Sequence, residues 1–361
     1  MGPRANTMRL LITGICGFAG SRIAAALKRE FEGVEIFGID NFLRPGSETN
    51  RAPLLAMGIA VRHGDVRLES DWAQLPAADW VIDAAAEPSV LAGVNASTSP
   101  RQLIEINLGG TVEMLEYCRR HKAGFILLST SRVYSIEALA RLPVVVRDGG
   151  YALESSEELP AGVSEHGVDA AFSTASPVSL YGATKLASEL LAAEYAFAFQ
   201  LPGYINRCGV LTGAGQFGTA AQGIFAYWIN AHLRKRQLRY IGFDGMGHQA
   251  RDFLHINDLA SLLARQLRRG GQPEFLYTAG GGTERTMSLR QLTAWCDARF
   301  GALAVNSDPA PRPYDIPWFV TDARRTRTAF DWSPEWPAEA ILTEIAEHAE
   351  AHPQWLAWSG A

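Results

Sequence analysis

The sequence predicts an α/β fold: a doubly wound parallel Rossmann sheet with a smaller C-terminal substrate-binding lobe. Three observations predict it. Strand and helix patterns alternate through the first 210 residues, the first strand runs directly into a glycine-rich turn and a helix, and the remainder is shorter and more irregular in its periodicity. With 361 residues, 47% hydrophobic and 20% charged, the chain is long enough for one large α/β domain with an added lobe and has an ordinary globular composition. Its net charge of -5 gives no reason to expect nucleic acid or an anionic membrane as partner. No apolar run approaches the roughly 20 residues that span a bilayer, and the start lacks the apolar core of a signal peptide, so the expected location is cytoplasmic. Cys16, Cys118, Cys208 and Cys296 are scattered without a C-x-x-C, which suits reduced thiols rather than a disulfide frame or a metal site. The Asn95-Ala96-Ser97 sequon then reads as chance, and Met1 to Thr7 as a disordered leader.

Arg9 to Thr13 is a short apolar strand that leads into Gly14-Ile15-Cys16-Gly17-Phe18-Ala19-Gly20 and then a helical pattern of Ile23, Ala26, Leu27 and Phe31. In such a turn the first two glycines let the backbone approach a pyrophosphate, the last allows close helix packing, and the helix N-terminus presents N–H groups to the anion. A second strand, Val34 to Ile39, ends at Asp40-Asn41, about 20 residues on, where a carboxylate accepts the hydroxyls of an adenosine ribose and repels a 2′-phosphate. NAD is therefore favoured over NADP, with Arg44 as the neighbouring residue that could accommodate a phosphate. The third strand, Ile59 to His63, ends in Gly64-Asp65-Val66; the fourth, Trp80 to Ala84, ends in Ala84-Ala85-Ala86, small residues that let a cofactor ring lie against backbone. Glu87 and Ser89 follow at the same edge and point at the crevice.

One long helix is expected from Pro100 to His121, with Asn107 beside Gly109 and Gly110 in its middle, a costly arrangement unless the asparagine has a structural or cofactor-supporting partner. The fifth strand, Phe125 to Leu128, delivers Ser129-Thr130 to the ligand-binding edge, where Thr130 is a candidate donor to a substrate oxygen. The stretch between Tyr134 and Tyr181 is long and rich in charge, glycine and proline, with an acidic run from Glu154 to Glu158; a functional flap or a disordered excursion is expected there. Tyr181 and Lys185 then stand four residues apart on one face of a helix whose apolar positions are Leu186, Leu190, Leu191, Tyr195 and Phe199. An ammonium one turn from a phenol favours the phenolate, so the expected tyrosine pKa lies below its usual value of about 10. Gly203 to Arg207 returns as a sixth strand, and helices follow at Ile224 to His232, Asn257 to Arg268, from Ser288 as N-cap through Phe300, and at Ala338 to His352. Between them lie short strands at Leu238 to Gly242, Gln249 to His255 and Glu274 to Ala279. The expected organisation is a Rossmann domain over 8–207 to which 238–268 returns, a substrate-binding lobe from 208–237 and 269–361, and an insertion over 136–176.

In this order the glycine loop, Asp40-Asn41, Gly64-Asp65-Val66, the Asn107 helix, Ser129-Thr130, Tyr181/Lys185, Arg251-Asp252 and Asp331-Trp332-Ser333-Pro334 resemble the extended short-chain dehydrogenase/reductase family that acts on nucleotide sugars. The resemblance runs from Met8 to His352. It implies Thr130, Tyr181 and Lys185 as the catalytic set, with Tyr181 taking a sugar hydroxyl proton, Lys185 holding the phenolate and the nicotinamide ribose, and Thr130 orienting the oxygen. It implies a cofactor shell of Gly14, Cys16, Gly17, Phe18, Ala19, Gly20, Asp40, Asn41, Phe42 and Arg44. To these it adds Asp65, Val66, Ala84, Ala85, Ala86, Asn107 and Arg207, together with Tyr181 and Lys185. The implied substrate residues are Glu87, Ser89, Thr130, Gln216, Thr219, Gln222, Arg251 and Arg312, the two arginines at a pyrophosphate.

Within the family, dehydratases and decarboxylases resemble this chain around Ser129 to Tyr134 but carry an acidic residue where Arg132 stands, and 4-epimerases usually have an asparagine where Val210 stands. The run Gly213, Gln216, Phe217, Thr219, Gln222 and Gly223, with the Asp-Trp-Ser-Pro ending, is most similar to the CDP-tyvelose (CDP-paratose) 2-epimerases; Ser135 and the long segment before Tyr181 depart from them. The resemblance implies NAD that is tightly bound and regenerated at each turnover, a nucleotide-diphosphate sugar substrate, epimerisation at carbon 2 or else carbon 4, and a homodimer through the Asn107 and Tyr181 helices. A net sugar dehydrogenase or reductase, and a non-catalytic NAD-binding scaffold, stand as the alternatives.

Overall fold

The computed structural model describes residues 7–94, 98–154, 158–271 and 275–360. The leader up to residue 6, the Asn95 sequon, Ser155 to Glu157 of the acidic run and Glu274 at the start of the last predicted sheet strand lie outside these residues. The first half alternates as expected: β1 (Arg9–Thr13), α1 (Phe18–Glu30), β2 (Glu35–Asp40), α2 (Arg51–Ala56), β3 (Ala60–His63), α3 (Glu69–Trp72) and β4 (Trp80–Asp83). Next come α4 (Pro100–Ile104), α5 (Gly110–His121) and β5 (Gly124–Thr130), followed by a segment with α6 (Ile136–Ala140) and the paired strands β6 (Val144–Arg147) with β7 (Gly150–Leu153), then β8 (Val163–Ser164) with β9 (Gly167–Val168). α7 (Ser179–Phe199) leads to β10 (Gly203–Cys208) and β11 (Val210–Thr212).

The remainder comprises α8 (Ile224–Leu233), β12 (Leu238–Ile241), β13 (Ala250–His255), α9 (Ile256–Arg269), β14 (Leu276–Ala279), β15 (Thr286–Ser288) and α10 (Leu289–Phe300). It ends with β16 (Val305–Asp308), β17 (Trp318–Phe319), α11 (Arg324–Phe330), α12 (Ala338–Ala351) and α13 (Trp355–Trp358).

A seven-stranded parallel sheet in the order β14-β10-β5-β4-β1-β2-β3 forms the centre. Chain order reverses between β1 and β4, the place where such a sheet opens a crevice beyond its strand ends. One apolar layer packs α1 and α9 against the sheet through Ile23, Leu27, Leu259 and Leu263; the other packs α5 on its opposite face through Met114, Leu115 and Cys118. Both faces are covered, which is why these strands read as near-continuous apolar runs.

Four findings depart from the sequence expectations. The Pro100–His121 helix is interrupted by a π turn over Glu105–Gly109, because Asn107 and the two glycines favour a local shift of the hydrogen-bond ladder. The described residues of the 136–176 segment are packed on the lobe: Leu139, Val168 and Phe172 share a core with Ile316, Trp318 and Phe319, and among the described residues nothing from 133 to 180 lines the cleft below. They are tied by Val168 N–H to the Val320 carbonyl at 2.7 Å and by the Ser288 hydroxyl to the Gly149 carbonyl at 2.8 Å. β14 joins the main sheet and α9 packs on it beside α1, while β12 and β13 pair outside that sheet. Finally, α7 buries a polar stripe, Tyr181, Thr184, Lys185, Ser188 and Glu189, and turns part of its apolar side outward, with Leu190 65% and Phe197 79% exposed.

Candidate active site

A cleft of about 690 Å³ opens at the C-terminal edge of the sheet between the Rossmann half and the lobe. Its cofactor half is built on the turn after β1. Gly14 sits at φ +61°, and a Cβ there would lie 2.9 Å from the Ala85 backbone; a Cβ on Gly20 would collide with the Gly14 carbonyl. Both positions therefore require glycine. α1 begins with Gly17 as N-cap, no side chain caps it and its first turn carries no acid, so its leading N–H groups are available to an anion. Asp40, at the end of β2, accepts N–H bonds from Cys16 and Phe42 at 2.8 Å each and still lines the cleft. Burial raises its carboxyl pKa while those amides oppose the rise. A carboxylate held in this way keeps lone pairs for ribose hydroxyls. These features fit a dinucleotide. Phe18, Ala19, Asn41, Val66, Ala84 and Ala86 line the same half. Arg44 lines it too, but its guanidinium donates to the Phe217 carbonyl across the cleft, so it is held away from the phosphate-accommodating role considered from sequence.

Six residues expected to touch the cofactor do not line the cleft: Lys185, described below, and five whose partners lie in the wall behind it. The buried Cys16 contributes its backbone N–H to Asp40, with a thiol that burial pushes up to about 12. Phe42 stacks on His63, and Asp65 is taken by Arg67 at 2.6 Å, a partner that holds its carboxyl down at about 2. Asn107 is fully engaged: it accepts the Glu87 N–H at 2.8 Å and donates to the Glu87 carbonyl and the Thr184 hydroxyl, both at 3.2 Å. It thus ties the β4 exit to α7 as a structural residue. Arg207 meets Glu189 in a buried, forked ion pair with contacts of 2.7 to 3.1 Å, and the Ser129 hydroxyl donates to the same carboxylate.

The three residues expected to carry catalysis come from two elements. Thr130 ends β5, and its hydroxyl accepts the Arg132 N–H at 3.1 Å. Both Thr130 and Tyr181 line the cleft. Lys185, one turn along α7, is buried behind them; burial lowers its ammonium pKa, against Asp83 and Glu189, which favour the charge. The expectation of a depressed phenol is corrected: burial pushes Tyr181 up to about 12, and the pull downward comes from the Thr130 hydroxyl and the Arg132 charge. Desolvation of a nearly enclosed phenol outweighs the neighbouring cations.

On the lobe side Gln216, Gln222, Arg251 and Arg312 line the cleft, as does Glu87 opposite them. Arg251 is tied to Asp315 at 3.0 Å and to the Ile316 carbonyl at 2.6 Å, whereas the Arg312 guanidinium reaches the Ala220 carbonyl at 3.3 Å. Two expected substrate residues do not line the cleft: Ser89 caps its own turn through the Leu91 N–H, and Thr219 closes a tight turn with Gln222. Sequence reasoning missed Glu189, Asp83 and Asp315. Glu189 could have been found, since it continues the Tyr181, Lys185 face by one further turn. Among the described residues no group of three or more His, Cys, Asp and Glu side chains is arranged to hold a metal ion.

A sequence profile described as the NAD dependent epimerase/dehydratase family matches residues 10–280. The chain belongs to this family. Its cofactor is NAD, and the uncapped glycine turn and Asp40 described above are where that cofactor fits. Among curated proteins the chain is 30% identical to CDP-paratose 2-epimerase of Salmonella typhi, over 91% of this chain and 95% of that protein. It is 26% identical to dTDP-L-rhamnose 4-epimerase of Burkholderia thailandensis, over 93% of each. Among solved structures, the UDP-glucuronic acid 4-epimerase of Bacillus cereus superposes with a TM-score of 0.75 at 23% identity, covering 95% of this chain and 99% of that one. The UDP-glucose 4-epimerase of Thermotoga maritima superposes with a TM-score of 0.76 at 20% identity, covering 96% and 100%. These structures share the fold. As a family member the protein is an NAD-dependent enzyme of the epimerase type.

Proposed function

We propose that the protein epimerises a nucleotide-diphosphate sugar by transient oxidation, acting on carbon 2 of a CDP-linked deoxyhexose. The observation that carries this is that Thr130 and Tyr181 line one cleft together with the glycine turn and Arg312. Tyr181 takes the proton of the sugar hydroxyl as carbon is oxidised, and returns it when carbon is reduced. Thr130 holds the same oxygen in line, and Lys185 supplies positive charge behind the phenol. Bound NAD supplies hydride acceptance and return. Arg312, less occupied by the protein than Arg251, offers forked donors to a diphosphate. The match to CDP-paratose 2-epimerase along nearly the whole of both chains favours carbon 2 and a cytidine nucleotide. Arg132 in place of a carboxylate supports epimerisation over dehydration, because a guanidinium cannot take a proton from carbon. Carbon 4 is the second reading, favoured by the similarity to dTDP-L-rhamnose 4-epimerase.

We further propose that the protein is a cytoplasmic homodimer built on α5 and α7. Leu190, Phe197 and Phe199 are exposed on α7, which packs beside α5 through the Tyr195 hydroxyl and Glu116 at 2.7 Å. The four cysteines are buried and unpaired, as a reducing compartment would keep them. No helix of the described residues is long and apolar enough to cross a membrane.

The test uses purified protein with no added cofactor. Released dinucleotide is identified after denaturation, and a parallel sample is incubated with CDP-, UDP-, GDP- and dTDP-sugars in deuterated water and read by NMR. The expected outcome is stoichiometric NAD and one inverted carbon without solvent deuterium. Deuterium at that carbon means deprotonation beside a ketone and removes the hydride-return mechanism. Turnover only with added NAD or NADPH, with net oxidation or reduction, replaces the epimerase by a dehydrogenase.

A further inference from the structure

Tyr314 lines the cleft with its backbone at φ +62°. An L residue with a bulky side chain is disfavoured in this left-handed region, and such strain persists only where the surroundings impose it. Among the described non-glycine residues with positive φ, Tyr314 is the one that lines the cleft; Lys122, Gln200 and Asp331 merely end helices. Glycine would take this conformation freely. A tyrosine held there points to a use for its ring.

The surroundings that impose it are visible. The loop from Asp308 to Trp318 carries four prolines, Pro309, Pro311, Pro313 and Pro317. Asp315 accepts from Arg251 at 3.0 Å and from the Gln249 amide at 3.3 Å, and Arg251 also donates to the Ile316 carbonyl. On the other side the Arg132 guanidinium donates to the Tyr314 carbonyl at 3.4 Å. Arg132 belongs to the catalytic edge. Its N–H bonds to Thr130, its carbonyl packs against Gly182 in the first turn of α7, where a Cβ would collide with it, and its charge acts on Tyr181. Two residues before Tyr314, Arg312 faces the same cleft. Tyr314, half-buried, therefore belongs to the wall that links the reacting end to the guanidinium read above as holding a diphosphate.

We propose that Tyr314 is a specificity-determining residue of the sugar subsite, its ring packing against the C–H face of the nucleotide-linked hexose. An aromatic ring matches the apolar face of a pyranose, while its hydroxyl suits the polar rim. The proposal rests on the nucleotide-sugar reading above.

The experiment titrates CDP, CDP-glucose, UDP and UDP-glucose into the NAD-saturated full chain by calorimetry, for wild type, Tyr314→Phe and Tyr314→Gly, and records each protein's thermal midpoint. Expected for Tyr314→Gly is a loss of about tenfold in affinity for the nucleotide sugar but less than about twofold for the free nucleotide, as the loss of one aromatic contact predicts. Its thermal midpoint should be unchanged or higher, because glycine relieves the left-handed strain. Tyr314→Phe, which keeps the ring, should stay within about threefold of wild type. An unchanged sugar affinity in Tyr314→Gly, an equal loss for sugar and nucleotide, or a lowered midpoint that accounts for the loss overturns the assignment. Wild-type protein that binds none of the four ligands brings down the nucleotide-sugar reading itself, whereas normal wild-type binding with an unaltered sugar-to-nucleotide ratio in Tyr314→Gly brings down the role of Tyr314 alone.

Discussion

A phenol that burial pushes up to about 12 must be helped to ionise before it can accept a proton near neutral pH, and the groups that favour its phenolate are Thr130 and Arg132. Removing the acceptor outright in Tyr181→Phe should cut turnover by about 10²–10⁴ while bound NAD is retained. Arg132→Met removes a charge that favours the phenolate, so the rising limb of the pH–rate profile should move to higher pH. A limb that stays put in that variant assigns the assistance elsewhere. Asp252 shows a second effect of burial. It is fully enclosed, accepts from the Gly282 N–H and the Thr321 hydroxyl at 3.2 Å each, and its carboxyl is raised from 3.8 to about 6. The folded state thus holds this proton more tightly than the unfolded state. Stabilisation from Asp252 is full below the unfolded value and is lost as pH rises through about 6. Denaturant midpoints measured from pH 4 to 7 should therefore fall more steeply with pH for wild type than for Asp252→Asn.

At the scale of elements, α7 is held by polar groups on its buried face. The Arg207–Glu189 pair joins it to β10, and Ser129 joins the same carboxylate to β5. Glu189→Ala leaves a buried guanidinium uncompensated and should cost about 3–5 kcal/mol in a denaturation experiment. Asn107 does the equivalent work between the β4 exit and α7. Its loss in Asn107→Ala strands buried partners and should cost about 1–3 kcal/mol; because it acts through α7, it should also lower kcat more than it lowers NAD content. Equal loss of NAD and activity would instead fit the cofactor contact expected from sequence. The Tyr181/Lys185 spacing made one face of α7 legible. The outward turn of Leu190 and Phe197 was not, since an apolar residue on a helix fits a core and an external surface equally well.

For the whole molecule, that outward apolar side of α7 is the surface on which the dimer proposal depends. Phe197→Asp should convert a dimer into a monomer in sedimentation, with the fold kept, because Phe197 is 79% exposed in the isolated chain. A monomeric wild type rejects the proposal.

The central sheet, the glycine turn and the shared helix face of Tyr181 and Lys185 were legible in the sequence because each rests on local chemistry: period-2 and helical patterning, glycine where the turn admits nothing larger, and two side chains one turn apart. The cleft's fuller membership was not. Asn107, Asp65 and Arg207 belong by residue type to a binding site, and only the tertiary structure turned them toward Glu87, Arg67 and Glu189. Nor did local pattern reveal how the described residues of 136–176 pack, since its strands bond to Val320, Ser288 and His248, distant in the chain. Local propensity and spacing determined which elements form and which chemistry they carry. Long-range packing and burial decided which polar groups remain open to a ligand, because desolvation and pairing depend on neighbours that sequence separation hides.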